Sequence, residues 1–265
     1  MERREFLHSA AVGSIAAAGL DLTKHKTGAA ASRRHYELRS YEMRNDLNPG
    51  RLRTYLKDVL LPAYARAGAG VVGVFSADTG FPAQNVLLLV EYASLAAVED
   101  VAGKLDADAA FTAARREFEG APELPFARYD ASLMRAFAGH PAIEVPAGGP
   151  DRPARMFELR TYEARSASAL ERKMAMFNEQ EIALFRKIGM TPVFFGENIF
   201  GTRLPSLTYM LTFEDMAARQ SAWATFVAHP DWQRLNRDPK YNDVLGSVTV
   251  INVAYLRPLP FSTIR

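Results

Sequence analysis

The chain has 265 residues, 48% of them hydrophobic and 23% charged, the balance of a globular protein long enough for one or two domains. Lys and Arg total 32 against 30 Asp and Glu, a formal charge of +2 that is too even for a nucleic-acid binder, and no dense basic run is present. The absence of cysteine excludes disulfides, thiolate nucleophiles and every cysteine-ligated metal site.

The first segment reads as an export signal. Arg3 and Arg4 stand beside Phe6 and Leu7, a modest apolar stretch runs from Ala10 to Leu20, and Ala29-Ala30-Ala31 offers a small-residue cleavage site. The apolar stretch is too short to span a bilayer, and no other segment is suited to it. The paired arginines match the twin-arginine route, which predicts the twin-arginine translocation machinery as a partner and a periplasmic or extracellular location. The plainer reading is a frayed basic terminus. Cleavage after Ala31 removes Arg3, Arg4, Lys24 and Lys26 together with Glu2, Glu5 and Asp21, so the mature chain stays near neutral.

Beyond the signal, one unit is written twice. Tyr36-Glu37-Leu38-Arg39-Ser40-Tyr41-Glu42-Met43-Arg44 recurs 121 residues later as Phe157-Glu158-Leu159-Arg160-Thr161-Tyr162-Glu163-Ala164-Arg165. The same offset aligns Gly68 with Gly189, Val86–Tyr92 with Leu207–Phe213, and Asp108-Ala109-Ala110-Phe111 with His229-Pro230-Asp231-Trp232. Shifted by one more residue, Leu133-Met134-Arg135 matches Tyr255-Leu256-Arg257. Such a period is too long for a solenoid and marks a duplicated domain. The expected organisation is a signal over 1–31, repeat 1 over 34–137, a Pro- and Gly-containing linker over 138–153, and repeat 2 over 154–260.

Each repeat reads strand, helix, strand, strand, helix, strand. In repeat 1 a strand spans 35–44, then Asn48-Pro49-Gly50 opens a helix that carries Leu52, Leu56, Val59, Leu60 and Tyr64 on one face. Pro62 is expected to kink that helix and Gly68 to end it. Strands at 71–77 and 86–92 flank a turn, 94–119 is helical in two pieces, and 127–137 is the last strand. Repeat 2 follows with a strand at 155–165, a helix at 168–188, strands at 191–200 and 206–213, helical pieces at 214–228 and 230–237, and a strand at 246–257. This βαββαβ order gives a four-stranded antiparallel sheet with helices on one face, an α+β fold of the ferredoxin-like kind. The uncovered faces of two such sheets pack together and close a barrel, whose lumen is the expected pocket.

The strand openings, the Asn48-Pro49-Gly50 helix start and His229-Pro230-Asp231-Trp232-Gln233 resemble the NIPSNAP family over about 34–260. That family is similar in fold to the dimeric α–β barrel superfamily, which includes cofactor-free monooxygenases, isomerases and haem enzymes. The resemblance implies the fold and a pseudo-dimer of tandem repeats. Family members have no well-defined catalytic activity, and the eukaryotic ones are associated with mitochondria and vesicle-related interactions.

Strand alternation puts Glu37, Arg39 and Tyr41 on one face, and Glu158, Arg160 and Tyr162 on the matching face of repeat 2. These trios are the expected ligand-binding residues, taken to face the lumen. A strand-borne arginine there needs an anion, supplied by a ligand or by the Glu two residues earlier. In the second case Arg160→Met strands a buried carboxylate; in the first it abolishes binding. Tyr41 and Tyr162 either donate to a ligand or are core aromatics. His229 is a candidate general base or a helix cap, as is Asp108 in repeat 1, and Trp232 and Phe111 are expected to staple their helices to the sheet. Glu197, a second catalytic candidate, matches Ser76 in repeat 1, so any two pockets are expected to differ.

Gly-rich phosphate loops, Gly-x-Ser-x-Gly and His-Glu-x-x-His are absent, and His35, His140 and His229 are not at metal-ligand spacing, so no metal and no cofactor is called for. The expected function is binding of a small hydrophobic or anionic molecule in the barrel lumen. The alternatives are a cofactor-independent monooxygenase or isomerase, and a non-catalytic interaction module that would present free strand edges and assemble as a homo-oligomer.

Overall fold

The computed structural model of the chain describes residues 33–43, 49–81, 84–122, 126–148, 153–241 and 246–265. The export signal and the Asn48 cap lie outside the described residues. Repeat 1 runs β1 (His35–Glu42), α1 (Gly50–Tyr55), a π-helical turn (Leu56–Leu60), α2 (Leu61–Ala67), β2 (Val72–Thr79), β3 (Asn85–Tyr92), α3 (Leu95–Ala107), α4 (Ala109–Glu119) and β4 (Arg128–Ala136). Repeat 2 runs β5 (Met156–Ala164), α5 (Ala167–Met176), a π-helical turn (Phe177–Glu181), α6 (Ile182–Lys187), β6 (Thr191–Phe200), β7 (Ser206–Phe213), α7 (Met216–Ala228), α8 (Pro230–Leu235) and β8 (Val248–Pro258). The expected element order holds in both halves.

Local chemistry repeats at the same offset. Ser94 and Asp215 cap α3 and α7 by accepting the backbone N–H of Ala97 and Ala218. Asp108 and His229 cap α4 and α8, accepting from Phe111 at 2.9 Å and from Asp231 at 3.1 Å. Gly68 ends α2 with φ +88°. Pro62 does not break its helix; a π-helical turn precedes it. Proline is not the cause of that turn, because repeat 2 has the same turn with Ala183 at the matching place.

All strand pairs are antiparallel, and the eight strands close in the order β1-β3-β2-β8-β5-β7-β6-β4. The two repeats meet along two seams, β2 with β8 and β4 with β6. An arginine crosses each seam: Arg135 donates to Glu197 at 2.6 Å and Arg257 to Asp78 at 2.6 Å. The carboxylate that repeat 1 lacks opposite Glu197 is thus supplied two residues further on, across a bulge between Ala77 and Thr79. Closure leaves the described strands without a free edge to offer a partner.

The hairpins β2–β3 and β6–β7 turn at Gly80 and Gly201, one repeat apart, with φ +92° and +136°. A side chain at Gly80 would meet the Val253 carbonyl at 2.5 Å, and one at Gly201 the Ser132 hydroxyl at 2.5 Å. Gly201→Ala is therefore expected to cost about 1–3 kcal/mol in a denaturant melt. Gly103→Ala, inside α3 with open space around its Cα, is expected to stabilise by up to about 1 kcal/mol.

The sheet has two apolar faces. Tyr41 packs with Leu52, Leu56 and Tyr64 beneath the helices of repeat 1, and Tyr162 packs with Phe177, Phe185 and Phe226 beneath those of repeat 2. The alternate strand residues Tyr36, Phe157 and Leu159 join Phe75, Phe194, Met134 and Met210 in a third cluster, which fills the lumen from both repeats. The trios expected to face the lumen therefore point the opposite way, under the helices. An eight-stranded barrel is narrow enough for its own side chains to fill, so a hydrophobic ligand has no room in this part of the lumen.

Within the expected linker, the described residues 138–148 are tied to the wall of the barrel. His140 is buried with its Nε2 3.1 Å from the Val193 carbonyl, Ile143 donates its N–H to Glu91 at 2.8 Å, and Glu144 donates to the Val193 carbonyl at 2.9 Å.

Candidate functional site

Under α3, repeat 1 holds an open cavity of about 340 Å³. Its floor is Glu37 and Arg39 from β1 with Tyr92 from β3 and Tyr64 from α2; its walls are Val98, Val101, Ala102 and Leu105 of α3 and Leu133 of β4. Phe200, 67% exposed at the end of β6, stands at the rim. Arg39 donates to both oxygens of Glu37, with Nη2 to Oε2 at 3.1 Å, and Tyr92 donates to the same Oε2 at 2.9 Å. Burial opposes the Arg39 charge, but the Glu37 carboxylate bonded to it more than offsets that and holds the guanidinium protonated. Burial pushes the Tyr64 phenol up to about 12 and the Tyr92 phenol higher still, so both remain protonated donors at neutral pH. The pocket has an apolar wall and a neutral, hydrogen-bonding floor.

Repeat 2 fills the same space. At the 121-residue offset, Val98 becomes Arg219 and Ala102 becomes Trp223. Glu158, fully buried, accepts from Arg160 at 2.6 Å, from both Nε and Nη2 of Arg219 at 3.0 and 2.9 Å, and from the Trp223 indole at 2.8 Å. The Arg160 guanidinium lies 4.4 Å from the Trp223 ring centroid. Burial alone would raise the Glu158 carboxyl, yet the bonds from Arg219 and Trp223 and the Arg160 charge hold it below its usual range. Both arginines of the trios are thus answered by the glutamate two residues earlier, the internal alternative read from the sequence. With four bonds on Glu158, the expectation that Arg160→Met leaves it without a partner is corrected.

The remaining candidates have structural partners. Tyr41 packs edge-on to Phe126 at 5.1 Å and lies against Tyr129 at 5.4 Å. Tyr162 shares a 2.8 Å bond with the Tyr209 hydroxyl. His229 caps α8 and lies 3.7 Å from Asp231, while Glu197 is held at the seam by Arg135. Neither stands at the floor of the open cavity. Phe111 and Trp232 pack into the helix-side cores, Trp232 4.4 Å from Phe226, as the staple reading expects. Among the described residues no group of three His, Cys, Asp or Glu is placed to hold a metal ion, and no helix is long and apolar enough to cross a membrane.

Sequence reasoning named Glu37 and Arg39 but missed Ala102, Val98, Tyr64 and Tyr92, which make a pocket around them. The signal was present: two large polar side chains in one copy stand opposite two small apolar ones in the other. Period-two alternation alone does not reveal that contrast, because it lies on a helix.

The fold is shared with solved structures. A putative monooxygenase from Lactobacillus acidophilus NCFM superposes with a TM-score of 0.56 at 10% identity, covering 85% of this chain and 94% of its own. A putative monooxygenase from Fusobacterium nucleatum gives 0.51 at 8% identity, covering 86% and 93%. A mutant chlorite dismutase from Candidatus Nitrospira defluvii gives 0.50 at 12% identity, covering 86% and 92%. At these identities the likeness shows the fold, a dimeric α–β barrel whose two halves this chain carries in tandem. No curated protein matches the chain. The NIPSNAP family model matches residues 36–122 and again 157–263, both repeats over more than half of the sequence. The chain belongs to the NIPSNAP family.

Proposed function

We propose that the protein binds one small, largely apolar, uncharged molecule in the helix-side pocket of repeat 1, with its polar end on Arg39, Glu37 and Tyr92. The observation that carries this reading is the contrast between Ala102 and Val98 in one repeat and Trp223 and Arg219 in the other, which leaves one of two equivalent spaces open. A volume of about 340 Å³ suits a compact ligand. The Glu37–Arg39 pair neutralises itself, which favours a neutral or dipolar head over an anion. Oxygenation, the reading that the monooxygenase descriptions of the two neighbours bring, finds less support: both Glu37 oxygens already accept bonds, so this carboxylate positions Arg39 rather than standing ready to take a proton. Export by the twin-arginine route is part of the same proposal and rests on Arg3 and Arg4 of the sequence.

Ala102→Trp tests it, because it installs the side chain that closes repeat 2. Titration with the neutral fluorophore N-phenylnaphthylamine is expected to show binding to the wild type that weakens at least roughly tenfold in the variant, with an unchanged or higher melting temperature. Equal binding by both proteins would place the ligand elsewhere.

A further inference from the structure

At one end of the barrel the lumen is not filled. The C-terminal ends of β1, β2, β5 and β6, the starts of β3, β4 and β7 and the middle of β8 surround a cavity of about 320 Å³, roofed in part by the Gly80 and Gly201 hairpin turns. Both repeats contribute to it, at matching positions such as Ser40 and Thr161. Its apolar floor is Leu38, Leu87 and Leu159, with Phe81 on one side.

We propose that this mouth is a second binding site, separate from the pocket under α3, for a small neutral molecule rich in hydroxyl groups, such as a monosaccharide or cyclitol. Three observations point to that class. The neutral hydrogen-bonding groups in the wall are hydroxyls and amides, Ser40, Ser132, Thr161, Asn198, Thr208 and Asn252 among them, and they outnumber the charged Glu42, Arg128, Asp130 and Arg203. Ser40 already donates to Asn85 at 2.8 Å, Thr161 and Thr208 share a 3.0 Å bond, and Asn252 donates to Glu163 at 2.7 Å, so what these groups offer a guest hydroxyl is chiefly acceptor capacity. The arginines are already answered at the rim, Arg128 by Glu42 at 2.7 Å and Arg203 by Glu163 at 3.8 Å, so the mouth offers no unbalanced positive charge to draw an anion. Asn198 is more than nine-tenths buried, and its Nδ2 donates to Ser206 at 2.8 Å and Thr208 at 3.0 Å. Its Oδ1 is buried without a partner, an unanswered acceptor on a residue that lines the cavity, which a guest reaches when the side chain turns. The leucine floor and the Phe81 ring suit the C–H face of a ring polyol, and the volume limits the guest to about one ring.

The test is ligand-observed saturation-transfer NMR on the full chain with glucose, myo-inositol and glycerol, each at about 10 mM. Transfer to at least one of them is expected in the wild type and in Ala102→Trp, and its loss in Ser40→Ala/Thr161→Val. Should that double variant lose its cooperative melt, the isosteric Thr161→Val single variant is expected to cut the transfer severalfold. No transfer to any of the three, transfer that survives Thr161→Val unchanged, or transfer abolished by Ala102→Trp would overturn the proposal. The last result would assign the polyol to the pocket under α3 instead.

Discussion

Lys173→Leu is expected to destabilise the protein by about 3–5 kcal/mol, and adding Glu181→Leu is expected to restore or exceed the wild-type stability. Lys173 on α5 and Glu181 in the following π-helical turn are both buried and joined at 2.7 Å. The ammonium lies 4.5 Å from the Phe177 ring centroid and 5.5 Å from that of Trp232. Removing the lysine leaves a carboxyl in an apolar core. Burial already raises the Glu181 carboxyl in the intact pair, against the opposing pull of Lys173. An acid whose folded value is raised binds its proton more tightly in the native state, so its ionisation costs stability as pH rises through that value. The single variant should therefore lose more stability at pH 8 than at pH 5. Repeat 1 supplies the design of the double variant: Leu52 and Leu60 occupy the matching positions and are fully buried. Chemical denaturation at both pH values is the measurement. A double variant as unstable as the single one would show that these aromatic surroundings have come to require the ion pair.

Glu158→Gln is expected to cost a similar amount, about 3–5 kcal/mol at neutral pH, with the opposite pH dependence. The substitution keeps the shape but withdraws the charge that answers both Arg160 and Arg219. The Glu158 carboxyl is held below its usual range, so its stabilisation is fully present above the unfolded value near 4.3 and is lost as pH falls through the lower folded value. The gap between wild type and variant should narrow in acid. Arg160→Met should be milder, because Arg219 and Trp223 remain on Glu158. A larger loss in Arg160→Met than in Glu158→Gln would reverse this hierarchy.

The repeat made the fold legible: an offset of 121 residues, longer by one at the last strand, aligned both halves and delivered eight strands in the right chain order. The identity of the inner face was not legible, for a reason visible in β3. All eight residues from Asn85 to Tyr92 are buried, as are those of β7, because helices cover one side and the opposite sheet covers the other. Alternation separated Glu37, Arg39 and Tyr41 from Leu38 and Ser40 correctly but carried no information about which set looks inward. Charge suggested a polar lumen; instead the charged set lies under the helices, where an ion pair on one strand satisfies itself. The attachment of 138–148 to the wall was hidden for a similar reason. The prolines and glycines of this segment read as a linker, whereas the backbone N–H of Ile143 answers Glu91, a carboxylate buried at the end of β3.

A barrel assembled from two separate chains obeys dilution, and its two halves are bound by symmetry: any substitution that plugs one pocket plugs its twin. Here the tether between the halves keeps them at an effective concentration in roughly the mM range, so closure does not wait on encounter. Neither half has to be complementary to a copy of itself. The seams record that release, one closed by Glu197 and the other by Asp78 at a different register. It also permits a division of labour that a symmetric pair lacks. One half can become a rigid buttress, its hollow occupied by Trp223 and Arg219, while the other keeps its hollow open, so a mutation that tightens the buttress need never close it.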